Sequence, residues 1–280
     1  MVAMTRQRSR SARRLARWRF TVQAAVLLVW MDPMMLRLHT FCGPVFHCYS
    51  CPLATFACPI GVLANFSALH LIPFVAIGML ALFGGLVGSL ICGWVCPFGF
   101  LQDLLGKVPL PKLRLPGWMG HGRYLVLVGL VLAIPYFFGE GHPLFFCRLC
   151  PAGALEAAVP YTVSQAVAGK EVVWPSVVKL VILGLFLASA LVIWRPWCRL
   201  FCPLGAIYTL CNRFSVLQLR FRVNRCTDCR LCESYCRFGA YADKQPAPSR
   251  CVRCLDCLPC PGISIGTVLG KPEESAGKES

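Results

Sequence analysis

The sequence predicts an α-helical membrane protein, with four transmembrane helices in two parallel repeats and a small cysteine-rich domain at the C-terminus. Three observations lead there. Of 280 residues, 57% are hydrophobic and only 14% charged, where a soluble domain carries about 25% charged. The 28 Lys and Arg fall on alternating connecting segments. The 19 cysteines recur in a unit, Cys-Pro-x-Gly, in both halves of the chain. Disorder is excluded for most of the chain, because disordered segments are poor in apolar residues. A small disulfide scaffold does not fit either, since such scaffolds are short and secreted.

Residues 1–19 hold seven arginines and read as a basic cytoplasmic N-terminus. Arg13-Arg14 ahead of an apolar run is also what a secretion signal presents. Met31-Asp32-Pro33 follows where small cleavage-site residues would stand, so the run reads as an uncleaved first span. The membrane domain covers 20–215. Its spans are expected at 20–36, 73–91, 124–139 and 176–194, the first and third being short for a crossing of about 20 residues. The 65 residues between Arg37 and Asp103 carry no charge at all. Lys179 lies near one end of the fourth span, where its amine can snorkel.

Basic residues set the orientation. The segment 92–123 holds four and the chain from Arg195 onward thirteen, whereas 39–70 holds none and 140–175 two. The positive-inside rule places both termini in the cytoplasm and 39–70 and 140–175 on the other side of a bacterial inner membrane. This alternation argues against nucleic acid as a partner, because no basic stripe lies on a polar domain.

Four cysteine pairs punctuate the spans. Cys92-x3-Cys96-Pro97-x-Gly99 follows the second, and Cys198-x3-Cys202-Pro203-x-Gly205 the fourth. Cys147-x2-Cys150-Pro151-x-Gly153 follows the third, and Cys48-x2-Cys51-Pro52 with Cys58-Pro59-x-Gly61 the first. Proline suits the first helical position, so each such cysteine is expected at a helix N-terminus, where the dipole favours thiolates and anionic clusters. Each half runs span, outer pair, span, inner pair. Parallel repeats of this kind have a pseudo-two-fold axis along the membrane normal, so equivalent pairs meet on it. The spacing therefore predicts two [4Fe-4S] clusters in the membrane domain. The inner one takes Cys92, Cys96, Cys198 and Cys202. The outer one takes Cys147 and Cys150 with two of Cys48, Cys51 and Cys58, the preferred set being Cys51 and Cys58. Outer disulfides are the competing reading. Cys42 and Cys211 match no unit and read as packing residues.

The domain at 216–266 contains Cys226-x2-Cys229-x2-Cys232-x3-Cys236 and Cys251-x2-Cys254-x2-Cys257-x2-Cys260. These runs resemble the ligand runs of bacterial ferredoxins, in which the fourth cysteine of each run serves the other cluster. The resemblance implies a 2[4Fe-4S] domain, with Cys226, Cys229, Cys232 and Cys260 on one cluster and Cys251, Cys254, Cys257 and Cys236 on the other. Arg237 stands where ferredoxins have proline, and the second run is one residue short before Cys260. Zinc is the alternative for paired C-x2-C units. Residues 267–280 read as a flexible tail.

His39, His47, His70, His121 and His142 are isolated and read as locally satisfied. No C-x-x-C-H occurs, so covalent haem is not expected. Asp32 and Asp103 read as interfacial residues. Across roughly 70–265 the motifs Cys92-Gly-Trp-Val-Cys96-Pro97, Cys198-Arg-Leu-Phe-Cys202-Pro203-Leu-Gly205 and the C-terminal runs resemble the membrane-bound polyferredoxins, NapH-like 4Fe-4S quinol dehydrogenase membrane components. The outer cysteines depart from that pattern. The resemblance implies electron transfer linked to the quinone pool, with a membrane or periplasmic redox partner such as a cytochrome or iron–sulfur subunit. Quinone is a candidate further cofactor. The alternative is a regulatory or maturation factor of a respiratory enzyme. Clusters at opposite faces of a hydrocarbon layer about 30 Å thick would be far apart for one transfer, so either the Cys-Pro units dip into the bilayer or a further cofactor lies between; the uncharged stretch 38–102 favours dipping.

Overall fold

The computed structural model describes residues 10–30, 42–48, 56–113, 115–169, 171, 174–222, 226, 235–242, 245–246 and 249–268. These are mostly helical. Four helices begin alike: α2 (Pro59–Ala68), α5 (Pro97–Leu105), α9 (Pro151–Gly153) and α13 (Pro203–Cys211) each place proline directly behind a cysteine. The four cysteines share one extended conformation, with φ/ψ of −70/124 at Cys58, −67/118 at Cys96, −73/121 at Cys150 and −71/110 at Cys202. Helix α9 runs on through π-wound Ala154–Ala158 into α10 (Val159–Val167).

The rest of the helical domain follows the repeat. In the first half α3 (Phe74–Val87) and the short α4 (Leu90–Trp94) lead into α5. In the second, α11 (Val177–Val192) and α12 (Pro196–Leu200) lead into α13. Between the halves lie α6 (Gly122–Leu125), a π-wound stretch Val126–Ala133, α7 (Ile134–Phe138) and α8 (Phe146–Leu149). Packing obeys the same symmetry. Helix α5 lies against α1 (Arg10–Trp30) and α11, while α13 lies against α6 with its π-wound extension and against α3. The α3–α13 contact is close because Gly84 has no side chain: a Cβ there would stand 2.7 Å from Cys211 Sγ. Cys211 is thus a packing residue, as its lack of a motif suggested.

The spans differ from expectation. One described helix, Trp118–Phe138, is long and apolar enough to cross a bilayer. The expected 73–91 span is interrupted after Val87, where Gly88 turns to φ +57. Helices α3 and α11 have 14 and 16 residues, about 21 and 24 Å at 1.5 Å per residue. Hydropathy cannot register the break, because the turn is itself made of small and apolar residues. Helix α1 begins at Arg10, inside the basic stretch, and its Arg19 is buried. The remainder of the first expected span, beyond Trp30, lies outside the described residues.

After α13, β1 (Leu217–Phe221) pairs antiparallel with β4 (Ile263–Thr267), Leu219 opposite Ile265. A two-residue pair, β2 (Tyr241–Ala242) with β3 (Gln245–Pro246), completes the C-terminal region. The segment 251–256 is docked firmly on the helical domain. Ser89 Oγ and Asn212 Nδ2 both donate to the Cys251 carbonyl, at 2.7 and 2.8 Å. Arg253 donates to the carbonyls of Val87 and Asn212, each at 2.9 Å. Gly93 lies so close that a Cβ would stand 2.6 Å from the Val252 carbonyl oxygen.

Candidate metal centre

The Cys-Pro-x-Gly unit starts its helix alike in each copy. Its cysteine caps the helix, and the glycine N–H turns back to the sulfur, 3.3 Å for Gly205 and Cys202. The N–H groups of Gly61, Gly99 and Gly153 lie near enough to favour the thiolates of Cys58, Cys96 and Cys150, without the capping hydrogen bond that Cys202 makes. The glycine also fits beneath the carbonyl of the preceding cysteine. A Cβ would meet Cys92 O at 3.2 Å from Gly99, Cys198 O at 3.3 Å from Gly205 and Cys147 O at 3.4 Å from Gly153. In these three copies the motif builds a tight turn that brings two cysteines together at the helix start; Cys58 has no such preceding partner.

The inner cysteines, Cys92, Cys96, Cys198 and Cys202, are all buried and lie within electrostatic reach of one another. Gln102 Nε2 donates to Cys198 Sγ at 3.1 Å. Beside this set Arg195 Nη1 donates to the Cys92 carbonyl at 2.8 Å. Asp103 accepts from Arg195 Nε at 2.8 Å, is paired a second time through Nη2, and faces Arg19 at 3.4 Å. Arg19 in turn reaches Asp256 at 3.2 Å. Burial would raise the Asp103 carboxyl, but Arg195 and then Arg19 hold it below its ordinary 3.8. The sequence reading of Asp103 as an interfacial residue is corrected here: it is buried and ion-paired.

The outer cysteines enclose a cavity of about 80 Å³, lined by Cys48, Cys58, Cys147 and Cys150 with Phe46, His47, Phe146 and Lys179. Cys48, left spare in the sequence reading, is the fourth member of this group; Cys51 lies outside the described residues. The π-wound turn after Cys150 swings Glu156 back to accept the Cys48 N–H at 2.7 Å. His47 is satisfied locally, its ring nitrogens facing the Val45 and Phe56 carbonyls.

Burial pushes the Cys58 thiol up to about 11 and the Cys147 and Cys198 thiols up to about 12. Thiolates in such surroundings need a cationic partner. Four sulfurs per site, all in buried cysteines except the half-buried Cys147, with backbone N–H groups close by, fit an iron–sulfur cubane. Among the described residues no three His, Cys, Asp or Glu close around a single ion. A zinc site needs four ligands on one atom, whereas cubane thiolates stand on separate irons.

The two sets are neighbours. Phe46 lines the outer cavity, and its carbonyl lies 3.8 Å from Cys96 Sγ of the inner set. Its ring packs on Phe98, Phe146 and Trp197, with centroids 5.4, 6.4 and 6.3 Å away. One aromatic layer separates the groups.

In the C-terminal region Cys236 and Cys254 are within electrostatic reach of Cys251, and Gly262 lies against Cys226. Arg253 N–H donates to Cys251 Sγ at 3.4 Å and Ala240 N–H to Cys236 Sγ at 3.3 Å. Three arginines, Arg123, Arg199 and Arg250, line a small cavity beside this group, a positive surround suited to an anionic cluster. Cys257 and Cys260 are buried, while Cys229 and Cys232 lie outside the described residues.

These features define an iron–sulfur protein. The 4Fe-4S binding domain family matches the chain twice, at residues 69–116 and 176–223, each match holding one inner cysteine pair. The matches fall on the helical repeat and not on the C-terminal runs. An uncharacterized protein of Methanocaldococcus jannaschii is 30% identical over 182 residues, covering 61% of this chain and 68% of the relative. The putative electron transport protein YccM of Escherichia coli is 29% identical, covering 70% of this chain and 57% of its own. The methylamine utilization ferredoxin-type protein MauN of Methylobacillus flagellatus is 32% identical, covering 57% of this chain and 50% of its own. The chain belongs to one family with the Methanocaldococcus jannaschii protein, and each half of its helical repeat carries the 4Fe-4S binding domain. It spans between half and about two thirds of these relatives' lengths. No solved structure matches it.

Proposed function

We propose that the chain is a membrane-bound iron–sulfur electron-transfer subunit. It passes electrons between the quinone pool or a cytoplasmic donor and a respiratory partner, across the bacterial inner membrane. The observation that carries this reading is the contact through Phe46, which leaves the inner and outer cysteine sets one residue apart. Clusters bound at these sites would supply one-electron transfer. The inner ligands are Cys92, Cys96, Cys198 and Cys202, and the outer ligands Cys48, Cys58, Cys147 and Cys150. The C-terminal runs hold two further clusters, in the crossed arrangement described for ferredoxins.

The chain's own residues do the rest. The capping N–H groups stabilise thiolates, and the aromatic layer of Phe46, Phe98, Phe146 and Trp197 keeps water out. Docking of 251–256 on Gly93 brings the C-terminal ligands beside the inner set. Exposed apolar side chains support the membrane reading, among them Phe74, Leu125, Phe137, Val177 and Leu185, each more than 60% exposed. A solvent-facing apolar surface of this kind marks a membrane or partner contact. In this reading four spans in two parallel repeats carry the sites, with α3 and α11 as the short ones whose connecting turns dip into the layer.

The test uses the full-length protein in liposomes loaded with ferricyanide. Added dithionite should reduce the trapped ferricyanide through wild-type protein and not through Cys150→Ser. Equal rates in the two preparations would overturn transmembrane conduction. Rapid cluster reduction by quinol would separate the conduit from a sensor or maturation factor, for which quinol need not be a substrate.

A further inference from the structure

We propose that Arg195 and Asp103 form a buried charge pair that sets the redox potential of the inner site. The inference rests on reading Cys92, Cys96, Cys198 and Cys202 as ligands of one cluster. Arg195 is 1% exposed and adopts φ +46, the left-handed conformation that non-glycine residues avoid. That backbone turn caps α12 and sends the guanidinium inward, against the inner set. There it donates to the carbonyls of Cys92 and Gly93, at 2.8 and 3.4 Å. Gly99 makes the room, since a Cβ there would lie 3.3 Å from Nη1. Arg195 also stands three residues before Cys198, so a full charge is fixed beside two ligand residues from different halves.

A merely structural tie between α4, α5 and α12 would not call for this chemistry. Buried ion pairs stabilise little more than apolar side chains of similar volume, because desolvation offsets the attraction. What such a pair does provide is a fixed field in a low-dielectric interior. Reduction adds one negative charge to a cluster. The Arg195 cation favours that charge and the Asp103 carboxylate opposes it. Arg19, bonded to Asp103 and to Asp256, adds a weaker positive contribution and extends the network to the C-terminal segment.

The two partners therefore have opposite effects, which a purely structural role would not produce. The test is a redox titration of anaerobically purified full-length protein, followed by EPR. The inner signal is the one lost in Cys202→Ser. Arg195→Gln should lower its midpoint potential and Asp103→Asn should raise it. Each shift should amount to about a tenfold change in the reduction equilibrium, about 59 mV for one electron. Arg195→Lys, which keeps the charge, should stay near wild type. If Arg195→Gln or Asp103→Asn does not retain iron, Arg19→Gln decides: a smaller downward shift is expected, and no shift overturns the proposal. Shifts of the same sign in Arg195→Gln and Asp103→Asn, or none, also overturn it. If Cys202→Ser loses no signal and no iron, the reading of the inner site fails instead.

Discussion

Cys202 and Cys150 stand in nearly the same backbone conformation, φ/ψ −71/110 and −73/121, and each is followed by proline and a glycine fitted under a cysteine carbonyl. Their surroundings share little. Around the inner set lie Gln102, Arg195, Asp103 and Arg19, all buried and bonded to one another or to the cysteine turns. Around the outer set lie an open cavity, Lys179, and Glu156 holding the Cys48 N–H. The duplicated unit fixes where sulfurs point. The residues that differ between the copies fix the charge each site feels, so one scaffold can present two different potentials.

Substituting the cysteines should break the comparison most strongly. Cys202→Ser and Cys150→Ser should each lose about four irons, one cubane, by metal analysis. Cys48→Ser should do the same as Cys150→Ser, while Cys51→Ser should spare the iron; the reverse result would return the outer site to the pairing preferred from sequence. Phe46→Ala should cost both sites. Removing a buried phenylalanine costs about 3–5 kcal/mol, read as a lower unfolding midpoint, and ferricyanide reduction in liposomes should slow even where iron is retained.

Gly93→Ala should act on one side only. Its Cβ would collide with the Val252 carbonyl oxygen at 2.6 Å, so limited proteolysis should release the region after α13 faster than in wild type. Gln102→Leu should act more gently. It removes the N–H that Gln102 donates to Cys198 Sγ, so the inner potential should fall while the outer stays put. The smallest effect concerns pH. The Asp103 carboxyl is held below its ordinary 3.8, so its contribution to stability is complete above that value and is lost as pH falls through the depressed one. The stability difference between wild type and Asp103→Asn should be constant from pH 7 to about pH 5 and shrink in stronger acid.

Much of the site was legible in the sequence because proline after cysteine, then glycine, is a local signal with a local cause. The helix starts at Pro59, Pro97, Pro151 and Pro203 follow from it. The outer ligand was not legible in the same way. Cys48 and Cys51 share one C-x2-C unit, and only the packing of the 42–48 segment on α9 and its π-wound continuation brings Cys48 to the cavity. Nor could spacing reveal Arg195 and Asp103 as partners, since they lie 92 residues apart and meet through tertiary packing. The Phe46 contact escaped for the same reason. Span lengths failed at Gly88, where a positive φ ends a helix that composition alone would continue.

The central claim is that this helical domain carries clusters of its own, beyond the ferredoxin-like runs. Iron and acid-labile sulfide counted on anaerobically purified full-length protein test it most directly. The account predicts about sixteen of each per chain, four for each of four cubanes. A count of about eight, unchanged by Cys202→Ser or Cys150→Ser, would contradict it.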